Sequence, residues 1–363
     1  MRRLNLLARL LVAVAALALF AVGCGSDDDD DATSDDTVDT TEGGTTGDEP
    51  VDEDDLPVVR FQAVAGSIGG LPLMVMEEEG LDVENGFKGE FSYLDPGGAS
   101  ENFLVGNADV NMGDDVSTTA VFRQEGFDVT AWYPVTNLHV SIVVPEDSDY
   151  ETPEDLIGEQ VGHFGLESGA TTYISTTVEE IYGFDPREDY TLVESGPPAL
   201  PELLAAGEVD AIFNFEGHVS RAVLEAPGRV LYQTHQAYSE HTGGYAPTLT
   251  NLLSTVDWLE ENPELAYSVR DAIDEAIGMI EESDYELISE ETYTEQLGLE
   301  DPAHVELLIE RAADIPVFTT NWSAEFIEQT RDFLDLLVTD GLLSEPPDEM
   351  VMTTLEALVG ERP

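Results

Sequence analysis

The sequence predicts an α/β protein of two lobes, each lobe a mostly parallel sheet covered by helices. Three observations carry that prediction. Short apolar runs alternate with helical segments from residue 58 onward, the pattern of a parallel sheet with crossover helices. Two extended apolar stretches, residues 132–145 and 243–254, flank a second set of the same alternating kind, as crossings between lobes would. A pattern also recurs: "GNADVNMGDD" at 106–115 lies over "GEVDAIFNFE" at 207–216, with Gly106 on Gly207, Asp109 on Asp210 and Asp115 on Glu216. At 363 residues the chain exceeds what one compact core usually holds.

The N-terminus is read separately. Arg2, Arg3 and Arg9, an apolar run from Leu10 to Val22, and then Gly23-Cys24 form the layout of an export leader, too short for a comfortable membrane span. "AVGC" at 21–24 is similar to a bacterial lipobox, which predicts a leader over 1–23 and lipidation of Cys24. Cys24 is the only cysteine, which excludes disulfides, a thiol nucleophile and thiolate metal sites from the exported part. Residues 24–57 hold fifteen acidic residues and no basic one, so they predict an extended tether rather than a core.

The whole chain carries a formal charge of −64, and setting aside the tether's carboxylates and the three leader arginines leaves −52 on the remainder. Lys88 is the only lysine. This balance repels phosphate backbones and excludes nucleic acid as a partner. It fits a halophilic acidic surface, kept soluble by hydrated carboxylates, or an acidic lineage without extreme salt.

The elements follow in order. "VVRFQAVAG" is a strand; "LPLMVMEEEG" is a helix with Pro72 in its first turn and Gly80 as its stop. "GEFSYLDPGG" is a strand and turn, "ASENFLVG" a short helix with Ser100 as candidate cap, "ADVNMG" a strand and "VSTTAVFRQEG" a helix. The second unit runs "EQVGHFG", strand; "ATTYISTTVEEIYG", helix with Ile174, Val178 and Ile181 on one face; "YTLVESGPP", strand; "ALPELLAAG", helix; "EVDAIFNF", strand; "HVSRAVLEA", helix; "GRVLYQ", strand. Past residue 255 the chain reads as amphipathic helices, one starting near Pro263, which would pack back on the first lobe. These readings set lobe 1 at 58–143 and 242–363 and lobe 2 at 144–241.

Six stretches carry a family resemblance: residues 70–84, 97–113, 152–173, 200–223, 259–277 and 321–344. In their order and spacing they resemble the solute-binding proteins of ABC importers, in particular the nitrate, sulfonate/taurine and thiamine-precursor group. The resemblance implies a periplasmic-binding-protein type II fold and a non-catalytic receptor. It also implies a small-molecule solute, permease and ATPase partners, attachment to the membrane through a lipid anchor, a monomeric state and no cofactor.

By the same resemblance the solute sits between the lobes at loop–helix junctions. Ser67, Gly69 and Gly70 form the first, where glycines permit close backbone approach and helix N–H groups are free; a plain strand–helix turn explains them equally. Gly97, Gly98, Ala99 and Ser100 form the second, with an N-cap as the other reading of Ser100. Asp114 and Asp115 are the third, and Asp115 is either a solute contact or the cap of "VSTTAVF". Gly165, Ser168, Gly169, Ala170 and Thr171 precede a clear helix and resemble the group's ligand-contacting loop. Asn214, Phe215 and Glu216 are the fifth; relatives carry an aromatic, an acid and a proline there, and this chain has Gly217 in place of the proline. Trp132 and Tyr133 are candidates for stacking on a solute ring or for hinge packing.

The six histidines show no metal-ligand spacing, so no metal is expected. Pyrimidine synthases on this fold use a cysteine-rich motif that this chain lacks. An extracytoplasmic sensor domain is the third class, disfavoured because no kinase or membrane segment follows. Helix N-termini suit nitrate, a sulfonate or a carboxylate. Asp114, Asp115 and Glu216 suit instead a solute bearing N–H donors, such as an aminopyrimidine, and the absence of clustered arginines disfavours a multiply charged anion.

Overall fold

The computed structural model describes residues 55–166 and 168–362. The leader, Cys24 and the tether through residue 54 lie outside them.

Lobe 1 opens with β1 (Val58–Val64), α1 (Leu71–Glu79), α2 (Leu81–Glu84), β2 (Lys88–Leu94), α3 (Pro96–Leu104), β3 (Val110–Met112), α4 (Val116–Gln124) and β4 (Val129–Asn137). Proline in the first turn starts α1, and Gly80 ends it at φ +71, with its N–H returned to the Met76 carbonyl. Lobe 2 follows as β5 (Val140–Pro145), β6 (Gln160–His163), α5 (Gly169–Tyr182), α6 (Pro186–Asp189), β7 (Thr191–Glu194), α7 (Leu200–Ala206), β8 (Ala211–Phe215), α8 (His218–Glu225), β9 (Gly228–Gln233) and α9 (Thr234–Thr242). The chain then returns through β10 (Thr248–Thr255), followed by α10 (Val256–Glu261), α11 (Pro263–Glu282), α12 (Glu291–Leu297), α13 (Pro302–Asp314), α14 (Ala324–Thr339) and α15 (Leu355–Val359).

The two sheets have one plan. Lobe 1 is ordered β2-β1-β3-β10-β4 and lobe 2 β7-β6-β8-β5-β9. In each, the first three strands run parallel and the fourth runs antiparallel to both neighbours. The recurring aspartate shows the plan in atoms. Asp109 donates its N–H to the Arg60 carbonyl at 2.8 Å while its carboxylate accepts from the Arg60 N–H at 2.9 Å. Asp210 does the same to Gln160, at 2.8 and 3.0 Å. Before each aspartate a left-handed glycine stops the helix, Gly106 at φ +80 and Gly207 at φ +67.

The lobe boundary differs from the expected 143/144. β5 starts at Val140 and pairs with β8 and β9, so the first crossing is Leu138-His139. The apolar run conceals this point because β4 and β5 are both almost wholly buried, and their pattern does not change where the chain leaves one sheet for the other.

α11 packs on α1 in lobe 1 as expected, with Tyr267, Ile273 and Ile277 in the same core as Phe61 and Phe87. The later helices reach further. α13 packs on α8 of lobe 2, and Phe333 of α14 sets its ring edge-on to Tyr173 and Tyr238 at 5.2 and 5.6 Å. An amphipathic pattern says which face of a helix is buried and not against which lobe. The core around α14 therefore contains residues of both lobes, from Val116 and Ala120 to Ile174 and Phe213. Trp132 is fully buried and donates Nε1–H to Ser254 Oγ at 3.1 Å, tying β4 to β10. Tyr133 gives its hydroxyl to Asp274 at 2.6 Å. Both pack within lobe 1, against β10 and α11, and neither lines the cleft described next.

Candidate functional site

A cleft of about 790 Å³ lies between the lobes, within the size range of small-molecule sites. Its walls come from the carboxyl ends of the strands, where helix N-termini also converge.

At the first junction, Ser67 Oγ accepts the Gly69 N–H at 3.2 Å and caps a short 3-10 turn, Ile68–Gly70, that leads into α1. Ser67, Gly69 and Gly70 all line the cleft, so the turn and the wall are the same residues. At the second, the helix starts earlier than expected. Asp95 caps α3 by accepting the Gly98 N–H at 3.0 Å, and Pro96 occupies the first turn. Ser100 is therefore a helix-interior residue and not a cap; its hydroxyl donates to Asp114 at 2.9 Å. Gly97 and Ser100 line the cleft, whereas Gly98 faces Asp95 and Ala99 is buried with its carbonyl toward Gln62 Nε2.

At the third junction both aspartates line the cleft. Asp115 caps α4, accepting the N–H groups of Ser117 and Thr118 at 2.7 and 3.1 Å. Asp114 is buried among Ser100 and Asn111, whose Nδ2 donates at 2.6 Å. Burial pushes the Asp114 carboxyl up to about 7; the Ser100 hydrogen bond opposes the shift and the neighbouring Asp115 adds to it.

At the fourth, Gly165 turns at φ +115 and Ser168, Gly169 and Ala170 open α5 onto the cleft. Thr171 is fully buried and lies off the wall. At the fifth only Phe215 lines the cleft, edge-on to Phe164 at 5.6 Å. Asn214 is consumed internally, donating to the Pro197 carbonyl at 2.9 Å. Glu216, expected to face a solute, is fully buried and ion-paired with Arg311 of α13, whose Nε donates at 2.9 Å. The missing signal was the partner, which lies 95 residues away on a helix with no visible link to this strand.

Sequence reasoning missed further wall residues. Glu194 ends β7 before the "SGPP" turn, the place that Leu94 holds before "DPGG" in lobe 1, so the internal repeat contained the signal. Leu249 and Thr250 come from the second crossing. Val121 and Phe122 of α4 and Leu337, Leu342 and Leu343 at the end of α14 form an apolar end of the cleft, with Glu125 just past α4 beside them, and no local pattern marked them. The wall carries carboxylates at Asp114, Asp115, Glu125 and Glu194, and among the described residues no arginine, lysine or histidine lines it. His139 lies behind Gly69, fully buried, and burial pushes its imidazole down to about 4, so it is neutral at pH 7. Among the described residues no cluster of His, Cys, Asp or Glu is arranged to hold a metal ion.

A family model described as "NMT1/THI5 like" matches residues 76–283, more than half of the chain. The chain belongs to the NMT1/THI5-like family. Solved structures similar to this family member share its fold. The periplasmic aliphatic sulphonate binding protein SsuA from Escherichia coli superposes with a TM-score of 0.65 at 19% identity, over 80% of this chain and 95% of that one. The alkanesulfonate-binding protein SsuA from Xanthomonas axonopodis pv. citri, bound to MOPS, gives 0.66 at 20% identity, over 82% and 98%. The periplasmic nitrate-binding protein NrtA from Synechocystis PCC 6803 gives 0.55 at 14% identity, over 71% and 70%. No match was found among curated proteins.

Proposed function

We propose that this chain is the extracytoplasmic solute-binding component of an ABC importer. It captures a small organic solute bearing N–H donors or a positive charge, such as an aminopyrimidine, and delivers it to a permease and its ATPase. The observation that carries the solute class is the cleft wall, which among the described residues has carboxylates at Asp114, Asp115, Glu125 and Glu194 and no arginine or lysine. A buried carboxylate is offset by a donor or a cation, whereas a sulfonate or nitrate in the same place adds like charge. Ser67, Gly69, Gly70, Asp114, Asp115, Gly165, Ser168, Gly169, Ala170 and Phe215 are the proposed contacts. The chain works as a monomer, binds without turnover and is held at the membrane surface by lipid on Cys24.

A second reading is a small-anion receptor. It is favoured by the helix N-termini of α1, α3 and α5 near the cleft and by the likeness to the sulfonate- and nitrate-binding proteins. Thermal shift separates the two. A ligand at 100 times its Kd stabilises the folded state by about 2.7 kcal/mol. 4-Amino-2-methylpyrimidine is expected to raise the melting temperature while methanesulfonate, taurine and nitrate leave it unmoved; the reverse pattern overturns the first reading. Recovery of the bound solute unchanged after prolonged incubation checks the absence of turnover. Metabolic labelling with a fatty acid, lost in Cys24→Ala, checks the anchor.

A further inference from the structure

The cleft runs the length of α4. Ser117, Thr118, Val121, Phe122 and Glu125 all line it, and these positions share one face of the helix from its first turn to the residue past its end. At the rise of an α-helix that face spans about 12 Å. Its chemistry changes on the way. Ser117 and Thr118 stand at the capped end, and Val121 and Phe122 follow. Beside the far end of α4 the wall is apolar again. Gly341 turns at φ +75, and the N–H groups of Leu342 and Leu343 both return to the Leu337 carbonyl, at 2.8 and 3.1 Å. That turn folds the two leucines back on the end of α14, and all three leucines line the cleft. The segment that follows is fastened to α4 itself. Gln124 donates Nε2–H to the Glu345 carbonyl at 2.8 Å and accepts the Ser344 hydroxyl at 2.7 Å, and Arg123 Nε donates to Asp348 at 2.8 Å. Bonds outside the groove therefore fix its two apolar walls relative to each other.

Two apolar side chains of the wall, one from each lobe, are left in the open: Val121 is 38% exposed and Leu166 is 49% exposed. In a chain with 77 acidic residues, apolar surface gathered in a cleft marks where something apolar binds. We infer that the solute is elongated and amphipathic, with a donor-bearing head at the capped end of α4 and an apolar body lying along α4 over Val121 and Phe122. A single small ring or a two-carbon sulfonate fills one end of such a groove and leaves the other wet. An apolar body covers it and gains affinity from the surface it removes from water. The groove is continuous with the polar end of the same cavity, so one molecule reaches both. This inference rests on the receptor reading and deepens it, adding a body to the head group proposed there.

The test is calorimetric titration of the full chain carrying Cys24→Ala, so that no acyl chain competes for the groove, with ethylamine, butylamine and hexylamine and with the matching alkanesulfonates. Amine affinity is expected to rise by roughly fourfold per added methylene, the value of burying one CH₂. Val121→Gln puts an amide into the groove at a half-open helical position where glutamine is a good helix former. It is expected to weaken hexylamine by about tenfold and leave ethylamine unchanged. Val105→Gln is the control: that valine is 72% exposed and lies off the cleft wall, and its variant is expected to bind the whole series as the parent does. Circular dichroism melts confirm that both variants are folded. Affinity that does not change with chain length in the series that binds overturns the inference and leaves the receptor reading standing, as does a chain-length effect that survives Val121→Gln intact. Sulfonates that bind more tightly with length while amines do not bind overturn the donor-bearing head and support the apolar body. Binding in neither series overturns the inference and the receptor reading together.

Discussion

Strands β3 and β8 hold the same place in their sheets, and each is followed by a carboxylate at its cleft end, yet the two carboxylates have different fates. Asp115 after β3 stays on the cleft wall. Glu216 after β8 is sealed under α13 and paired with Arg311. The strand plan sets where a side chain begins; what lies over it decides whether it meets solvent, a solute or a partner. The asymmetry comes from the C-terminal helices, which cover the β8 end of lobe 2 and leave the β3 end of lobe 1 open.

The sharpest way to break this comparison is to remove the cover. Arg311→Ala leaves Glu216 buried without its partner, and loss of about 3–5 kcal/mol of stability is expected in chemical denaturation. If Glu216 is sealed as described, Glu216→Gln leaves solute affinity unchanged, and a loss of affinity would return it to the binding wall.

The next effect belongs to Asp114, on the open side. Its carboxyl titrates near 7 in the fold against 3.8 for the ordinary group. Between those values the folded chain keeps a proton that the unfolded chain has lost. Stability therefore falls as pH rises from about 4 to about 7 and is flat above, by roughly 4 kcal/mol at most. Asp114→Asn removes this slope, which thermal melts across the pH range would show. A solute that donates to the carboxylate binds better at pH 8 than at pH 6 in the wild type, and in Asp114→Asn that dependence is lost together with affinity.

The smallest effect concerns what the lobes share. Asp109→Ala and Asp210→Ala each remove the clamp of a helix–strand turn onto the neighbouring strand, at about 1–2 kcal/mol by urea melt. Asp109 is expected to cost slightly more because it also holds the guanidinium of Arg60, a half-exposed pair whose own worth is small. Clearly unequal costs would mean that the two turns are alike in geometry only.

The fold was legible because its signals are local. Pro72 and Gly80 bracket α1, and the repeat with Gly106 and Gly207 marks equivalent turns in both lobes. The site was legible where it follows the chain: Ser67, Gly69, Asp114, Gly165 and Gly169 all lie at strand–helix junctions and all reach the cleft. It failed where geometry is set from afar. Ser100 gave way to Asp95 as cap because Asp95-Pro96 starts the helix, with its cap five residues sooner than Ser100. Glu216 was lost to an arginine on α13, and the apolar end of the cleft comes from α14, whose sequence shows an amphipathic face and no address.

The strand order β2-β1-β3-β10-β4 also governs the order in which the molecule can be completed. Among the described residues β4's only strand partner within its sheet is β10, which follows more than a hundred residues later, after the whole of lobe 2. Lobe 2 has all five of its strands between residues 140 and 233 and can close on itself as soon as they emerge. Lobe 1 waits with an almost wholly buried-type strand unpaired, an edge open to wrong pairing until β10 arrives. The half of the molecule that is made first is therefore finished last.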